Sequence, residues 1–198
     1  MRPPEVWNHR EGRDAAPMIR LLLKPFSWIY GWATARRIKT TQSYDVGIPV
    51  ICVGNATMGG TGKTPIAIYL LKSFQRLGIN VVGLTRGYGG LEKGPIPVQQ
   101  NHTAIDVGDE PLLLARHAPV WVSAGRDDGA RAARSHGATV IVMDDGHQNP
   151  QLEKTLSLLV VDAEVGFGNG CVFPAGPLRE KLAPSLERAD AVILMKPS

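Results

Sequence analysis

Residues 50 to 78 constrain this chain more than any other stretch. Val50-Ile51-Cys52-Val53 is an apolar run, and Gly54-Asn-Ala-Thr-Met-Gly-Gly-Thr-Gly62 is a glycine-rich turn. Lys63-Thr64-Pro65 then opens a segment with Ile66, Ala67, Leu70, Leu71, Phe74 and Leu77 at helical spacing, stopping at Gly78. A strand that passes through such a turn into a helix aims backbone N–H groups and the positive end of the helix dipole at one point, the geometry that cradles phosphate. Gly59, Gly60, Thr61, Gly62, Lys63, Thr64 and Pro65 would surround it, with Lys63 as a point charge for β/γ-phosphates and Thr64 as a hydroxyl for Mg²⁺. Pro65 in the first helical turn sacrifices no hydrogen bond. The spacing departs from G-x-x-x-x-G-K-[ST], because Thr57 stands where the first glycine belongs, but Gly54, Gly59, Gly60 and Gly62 keep the turn free to adopt positive φ. The expected ligand is a nucleotide; the competing reading is a βα turn that binds nothing.

The rest of the chain repeats this alternation. Asn80–Thr85, Val120–Val122, the continuous apolar run Thr139–Met143, Leu156–Val161 and Ala191–Met195 read as further strands, Thr139–Met143 being of the kind buried in a parallel sheet. Helices are expected from Gly108-Asp109-Glu110-Pro111 through Ala115, and from Asp127 to His136, closed by Gly137. Residues 91 to 107 read as a loop or short hairpin. Strands alternating with helices predict an α/β fold, a mostly parallel sheet flanked by helices in the manner of P-loop NTPases, with right-handed crossovers.

Charge separates an N-terminal segment, residues 1–43, from a core over 44–198. The formal net charge is +4, yet residues 1–43 hold eight Lys/Arg against three Asp/Glu, which leaves the remainder at −1. Basicity confined to one end does not point to nucleic acid, and no nucleic-acid partner is expected. Met18 to Ala33 is rich in leucine and aromatics, with Arg20, Lys24, Arg36, Arg37 and Lys39 inside and after it. It is too short and too charged for a comfortable membrane span and suits a helix lying in the bilayer interface, with Trp28, Tyr30 and Trp32 at headgroup depth. Residues 18–39 are therefore expected to contact a membrane surface; packing on the protein's own core is the competing reading. Cys52 and Cys171 lack C-x-x-C spacing, which suggests a reducing compartment and no zinc site.

Asp144 and Asp145 follow an apolar run directly, so they are placed to hold Mg²⁺ at a strand's C-terminal end, although Asp-Asp-Gly is also good surface-turn chemistry. Asp109 reads on its own as an N-cap. Arg86, Arg126 and Arg179 sit after predicted strands and could face phosphate or simply be solvated.

Taken together, Val53–Pro65, Thr85-Arg-Gly-Tyr-Gly-Gly90, Gly108–Ala115, Asp144-Asp-Gly-His-Gln148, and Phe167–Gly170 through Pro174–Glu180 resemble the tetraacyldisaccharide 4'-kinase family of lipid A biosynthesis, in order and at compatible spacing. The resemblance implies ATP and Mg²⁺ as cofactors. It also implies phosphoryl transfer to the 4'-hydroxyl of a lipid A disaccharide precursor at the cytoplasmic face of the bacterial inner membrane. It makes Asp109 a candidate general base and links Asp144, Asp145 and Glu180 to Mg²⁺ and catalysis, with Arg179 as their basic neighbour. His147 stands where the family is more often aliphatic, an expected packing difference. The family also continues into a second α/β subdomain with an Asp-His-His motif, which these residues do not contain. The expectation for the 198 residues is ATP binding with little or no kinase activity. A membrane-recruited P-loop ATPase switch and a non-catalytic nucleotide-binding remnant are the alternatives.

Overall fold

The computed structural model describes Pro4, Trp7 and residues 17–196; the other residues of the basic N-terminal segment lie outside the described residues. Contacts group the chain into two interleaved units: Gln42–Gly54 with Lys63–Ser157, and the chain through Thr41 with Asn55–Gly62 and the chain from Leu158 onward.

The first of these units carries β1 (Val50–Gly54), α2 (Lys63–Arg76), β2 (Val81–Thr85), β3 (Ile96–Pro97), α3 (Ala104–Val107), α4 (Asp109–Ala115), β4 (Val120–Val122), α5 (Arg126–Ser135) and β5 (Val140–Asp144); α1 (Pro17–Thr40) precedes them in the chain. Its strands lie in the order β3-β4-β2-β5-β1. β1, β2, β4 and β5 run parallel, in registers such as Val53↔Asp144 and Leu84↔Met143, and only β3 is antiparallel. Every residue of the four parallel strands is buried, which is why they read as unbroken apolar runs rather than alternating ones. The core joins Val50, Cys52, Leu84, Trp121, Ile141 and Met143. α5 sits close to the sheet through Gly129, where a Cβ would come within 2.6 Å of the Ser123 Cβ. Residues 91 to 107 hold no hairpin: β3 pairs with β4 and α3 follows, opened by Thr103, whose N–H and hydroxyl both donate to the Asp106 carboxylate.

The other unit contains α1, β6 (Leu156–Asp162) for most of its length, α6 (Leu182–Glu187) and β7 (Ala191–Met195). β6 and β7 pair in parallel from Leu158↔Ala191 to Asp162↔Met195, over a small core of Ala56, Leu159, Val161 and Leu178. α1 runs unbroken through Pro25 and Gly31. The carbonyl that Pro25 leaves without its helical donor belongs to Leu21, an exposed residue. Its inward residues are Ser27, Gly31 and Thr34; the Ser27 hydroxyl accepts from the Ala175 N–H at 3.0 Å, and Tyr30 meets the Phe173 ring edge-on. Its large apolar residues face out instead, with Trp28 80% and Trp32 63% exposed. The segment expected to be amphipathic thus turns small residues inward and spreads apolar ones over its exposed surface. Among the described residues no helix is long and apolar enough to cross a membrane.

Candidate active site

In the five-stranded unit the chemistry gathers where β1 and β5 end. Gly54 closes β1 against His147; a Cβ there would lie 2.5 Å from the His147 Cβ, so only glycine fits. His147 is buried beside the strand end, with Nδ1 3.1 Å from the Ser157 hydroxyl. α2 begins at Lys63, with Thr64 and Pro65 in its first turn. The pairing of Val53 with Asp144 brings the two carboxylates after β5 to the same edge as Lys63. Lys63 Nζ lies 3.6 Å from Asp145 Oδ1, and the Asp145 N–H donates to the Val53 carbonyl at 2.9 Å. Asp145 adopts φ 52°, the left-handed conformation that aspartate tolerates better than most residues.

Asp144 is 1% exposed, which rules out the surface-turn reading for it. Burial, followed by the negative charges of Glu110 and Asp145, pushes its carboxyl up to about 7, against the pull of Lys63. Its Oδ1 has no hydrogen-bond partner, an expensive arrangement for a buried carboxylate. Glu110, which the sequence offered only as a first-turn residue of α4, acts on this site through its charge. Arg126 is the first residue of α5 and is buried, donating from Nη1 to the Ser123 carbonyl at 2.8 Å. Desolvation lowers its guanidinium to about 10 while the Asp145 charge works against that shift. Arg86 is exposed.

Asp109 corrects one expectation. Gly108, at φ 90°, occupies the N-cap, and Asp109 is the first residue of α4, exposed and taking no part in the cap. Its position is set by backbone packed on backbone. A Cβ on Gly90 would lie 2.6 Å from the Asp106 carbonyl oxygen, and one on Gly108 would collide with the Tyr88 carbonyl. The Arg86-Gly-Tyr-Gly-Gly90 motif is therefore the bed on which the start of α4 rests.

The glycine-rich turn belongs to the other unit, where the segment before Glu180 holds it. The Met58 N–H donates to the Pro177 carbonyl (2.7 Å), the Arg179 N–H to the Ala56 carbonyl (2.8 Å), and Arg179 Nε to the Thr57 carbonyl (3.2 Å). Asn55 Nδ2 reaches the Gly59 carbonyl at 3.3 Å, and the Thr61 hydroxyl is buried without a partner. Glu180 is buried, and both of its oxygens accept from Arg188 Nη2 at 2.6 Å. Pro177 lies inside the Pro174–Glu180 motif, whereas no sequence signal marked Arg188, because its partner is brought to it only by the fold.

Chemically, the β1–β5 edge offers a point positive charge at Lys63 and hard oxygen donors at Thr64, Asp144 and Asp145. A buried carboxylate oxygen with no donor fits a divalent cation. Mg²⁺ takes one or two carboxylates and fills its remaining positions with water and phosphate. Among the described residues no group of three or more His, Cys, Asp and Glu side chains could hold a metal by itself.

A sequence profile described as tetraacyldisaccharide-1-P 4'-kinase (LpxK) matches residues 19–198. The tetraacyldisaccharide 4'-kinase of Caulobacter vibrioides (strain NA1000 / CB15N) is 54% identical over 200 residues, a match covering 98% of this chain and 59% of the relative. That of Maricaulis maris (strain MCS10) is 47% identical over 199 residues, covering all of this chain and 58% of the relative. The crystal structure of LpxK from Aquifex aeolicus in complex with ATP superposes with a TM-score of 0.78 at 31% identity, covering 89% of this chain and 59% of that one. This chain spans about 60% of the length of the curated relatives it matches.

Proposed function

This chain belongs to the tetraacyldisaccharide-1-P 4'-kinase family, and from that premise we propose that it binds ATP and Mg²⁺ and serves transfer of the γ-phosphoryl group to the 4'-hydroxyl of a lipid A disaccharide precursor. The observation that carries the reading is the buried Asp144, with an unpaired oxygen, beside Lys63 and Asp145 at the end of β1 and β5. Lys63 places its charge on the β/γ-phosphates, and Gly59, Gly60, Thr61, Gly62, Thr64 and Pro65 complete the cradle with their backbone and hydroxyl groups. Thr64, Asp144 and Asp145 would hold Mg²⁺, which when bound neutralises charge on the phosphates. Asp109 accepts the proton of the attacking hydroxyl; its exposure at the first turn of α4 leaves it open to a bulky acceptor. Arg179, held against the loop through its bond to the Thr57 carbonyl, is the basic neighbour of the phosphates. Glu180 serves the same loop with its carboxylate engaged by Arg188.

The exposed tryptophans and leucines of α1, with its Arg and Lys side chains, support contact of residues 18–39 with an anionic bilayer, the cytoplasmic face of the bacterial inner membrane. A second reading rests on a sequence observation: no Asp-His-His run occurs in these residues. On that reading the 198 residues bind ATP with little transfer. The test is phosphate transfer from labelled ATP to a tetraacyldisaccharide 1-phosphate, by this chain and by the same chain joined to the remaining length of a relative. Transfer by the joined protein alone supports both readings. ATP hydrolysis by the joined protein without lipid phosphorylation would overturn the kinase assignment in favour of an ATPase switch.

A further inference from the structure

The phosphate loop is held from one side by a strap, and the strap has its own anchor. Ala56–Met58 pair with Pro177–Arg179 through the Met58 N–H to the Pro177 carbonyl and the Arg179 N–H to the Ala56 carbonyl, with Thr57 opposite Leu178. Leu178 in turn donates to the Cys171 carbonyl, and Phe173 to the Leu178 carbonyl. These are backbone contacts of an irregular segment, and they leave off at Arg179. One residue later comes a buried ion pair. The Glu180 side chain is 4% exposed, and both of its oxygens lie 2.6 Å from Arg188 Nη2. Arg188 follows the last residue of α6, and its Nη1 donates to the Pro184 carbonyl at 2.9 Å. One guanidinium thus ties α6 to the residue that follows the strap. A buried carboxylate that loses its cation is strongly destabilised and moves toward water, and Glu180 cannot move without carrying Arg179 and its two bonds to the loop.

We propose that Arg188 is a positioning residue for the phosphate loop, acting through Glu180 to hold the Pro177–Arg179 strap against Ala56–Met58. This rests on the nucleotide-binding reading only for its effect on ATP; the effect on the loop stands without it.

The test compares the 198-residue chain with its Arg188→Met, Arg188→Lys and Arg188→Met/Glu180→Gln variants, by site-resolved amide hydrogen exchange and by titration with ATP and Mg²⁺. In Arg188→Met, exchange at Met58 and Arg179 should accelerate at least tenfold while β1, β2 and β5 keep their protection, and the ATP Kd should rise about tenfold. Arg188→Lys keeps a charge for Glu180 and should recover most of the protection. The double variant removes the stranded carboxylate and should recover it as well. Acceleration confined to α6, with Met58 and Arg179 unchanged, would overturn the proposal and leave Arg188 a helix-end contact. Failure of the double variant to recover Met58 would equally overturn it. If Arg188→Met does not fold, the other two variants decide: both must fold, with Met58 protected to within a few-fold of the unaltered chain, or the proposal fails. Absence of ATP binding by the unaltered chain would count against the nucleotide reading, and the exchange data would still decide the role of Arg188.

Discussion

Asp144→Asn should stabilise the metal-free chain, and by more at pH 8 than at pH 5. The carboxyl moves from an ordinary value of 3.8 to about 7, chiefly because it is desolvated. At about 1.4 kcal/mol per tenfold change in proton affinity, the ionised form is disfavoured in the folded chain by about 4 kcal/mol. The folded chain therefore binds this proton more tightly than the unfolded chain does. Stability falls as pH rises from about 4 to about 7 and is level above that, once both states have lost the proton. Asparagine is never charged and escapes the loss, so its advantage should be about 2 kcal/mol at pH 5 and about 4 kcal/mol at pH 8. Urea unfolding followed by circular dichroism in the presence of EDTA, at both pH values, measures it. An advantage equal at the two pH values, or larger at pH 5, would refute the claim that burial of a charge at Asp144 costs the fold stability. Adding ATP with Mg²⁺ should reverse the order, since the carboxylate is the better metal ligand.

Lys63→Ala in the chain joined to a relative's remaining length should lower phosphoryl transfer on the order of 10³-fold or more. It should leave the melting temperature nearly unchanged, because a partly exposed ion pair to Asp145 contributes little; near-normal turnover would remove the loop from the mechanism. Asp109→Asn in the same protein should lower kcat with ATP affinity and thermal stability unchanged, since the carboxylate caps nothing; an unchanged kcat would deny it the role of base. The 198-residue chain should co-sediment with anionic vesicles, less so as salt rises, at about 1 kcal/mol per basic residue near the surface. Equal sedimentation of a chain lacking residues 1–40 would contradict the contact.

The parallel strands β1, β2, β4 and β5 were legible because each is buried on both faces and so appears as a largely unbroken apolar run. Asp144 and Asp145 were legible for the same reason, as polar residues standing where such a run stops. β3 was not, being two residues long and half proline, and α3 and α6 are too short for a period to show, α6 also carrying Pro184. The cap of α4 was misread because aspartate is a good N-cap by chemistry, whereas Gly108 takes the place by conformation, at a φ that aspartate rarely adopts. The inward side of α1 escaped a reading based on apolar periodicity, because it is made of the small residues Ser27, Gly31 and Thr34. Pro174–Glu180 was legible as a motif but its contact with the glycine-rich turn was not, and Arg188 left no trace, since it becomes a partner of Glu180 only when α6 folds back.

The backbone contacts beneath α4 also govern where relatives of this chain can differ in length. From Gly87 to Gly90, and again from Asp106 to Asp109, no residue can be inserted without lifting one main chain off the other. Between them, Leu91 and Glu92 are bonded to Ile105 and Asp106, and Val98 to Val120. What is left is the exposed tip around Gln99–His102, closed on itself by a bond from the His102 N–H to the Gln99 carbonyl. Insertions and deletions in this half of the family should collect at that tip, where evolution can lengthen the chain while the acidic residue at the head of α4 stays in place.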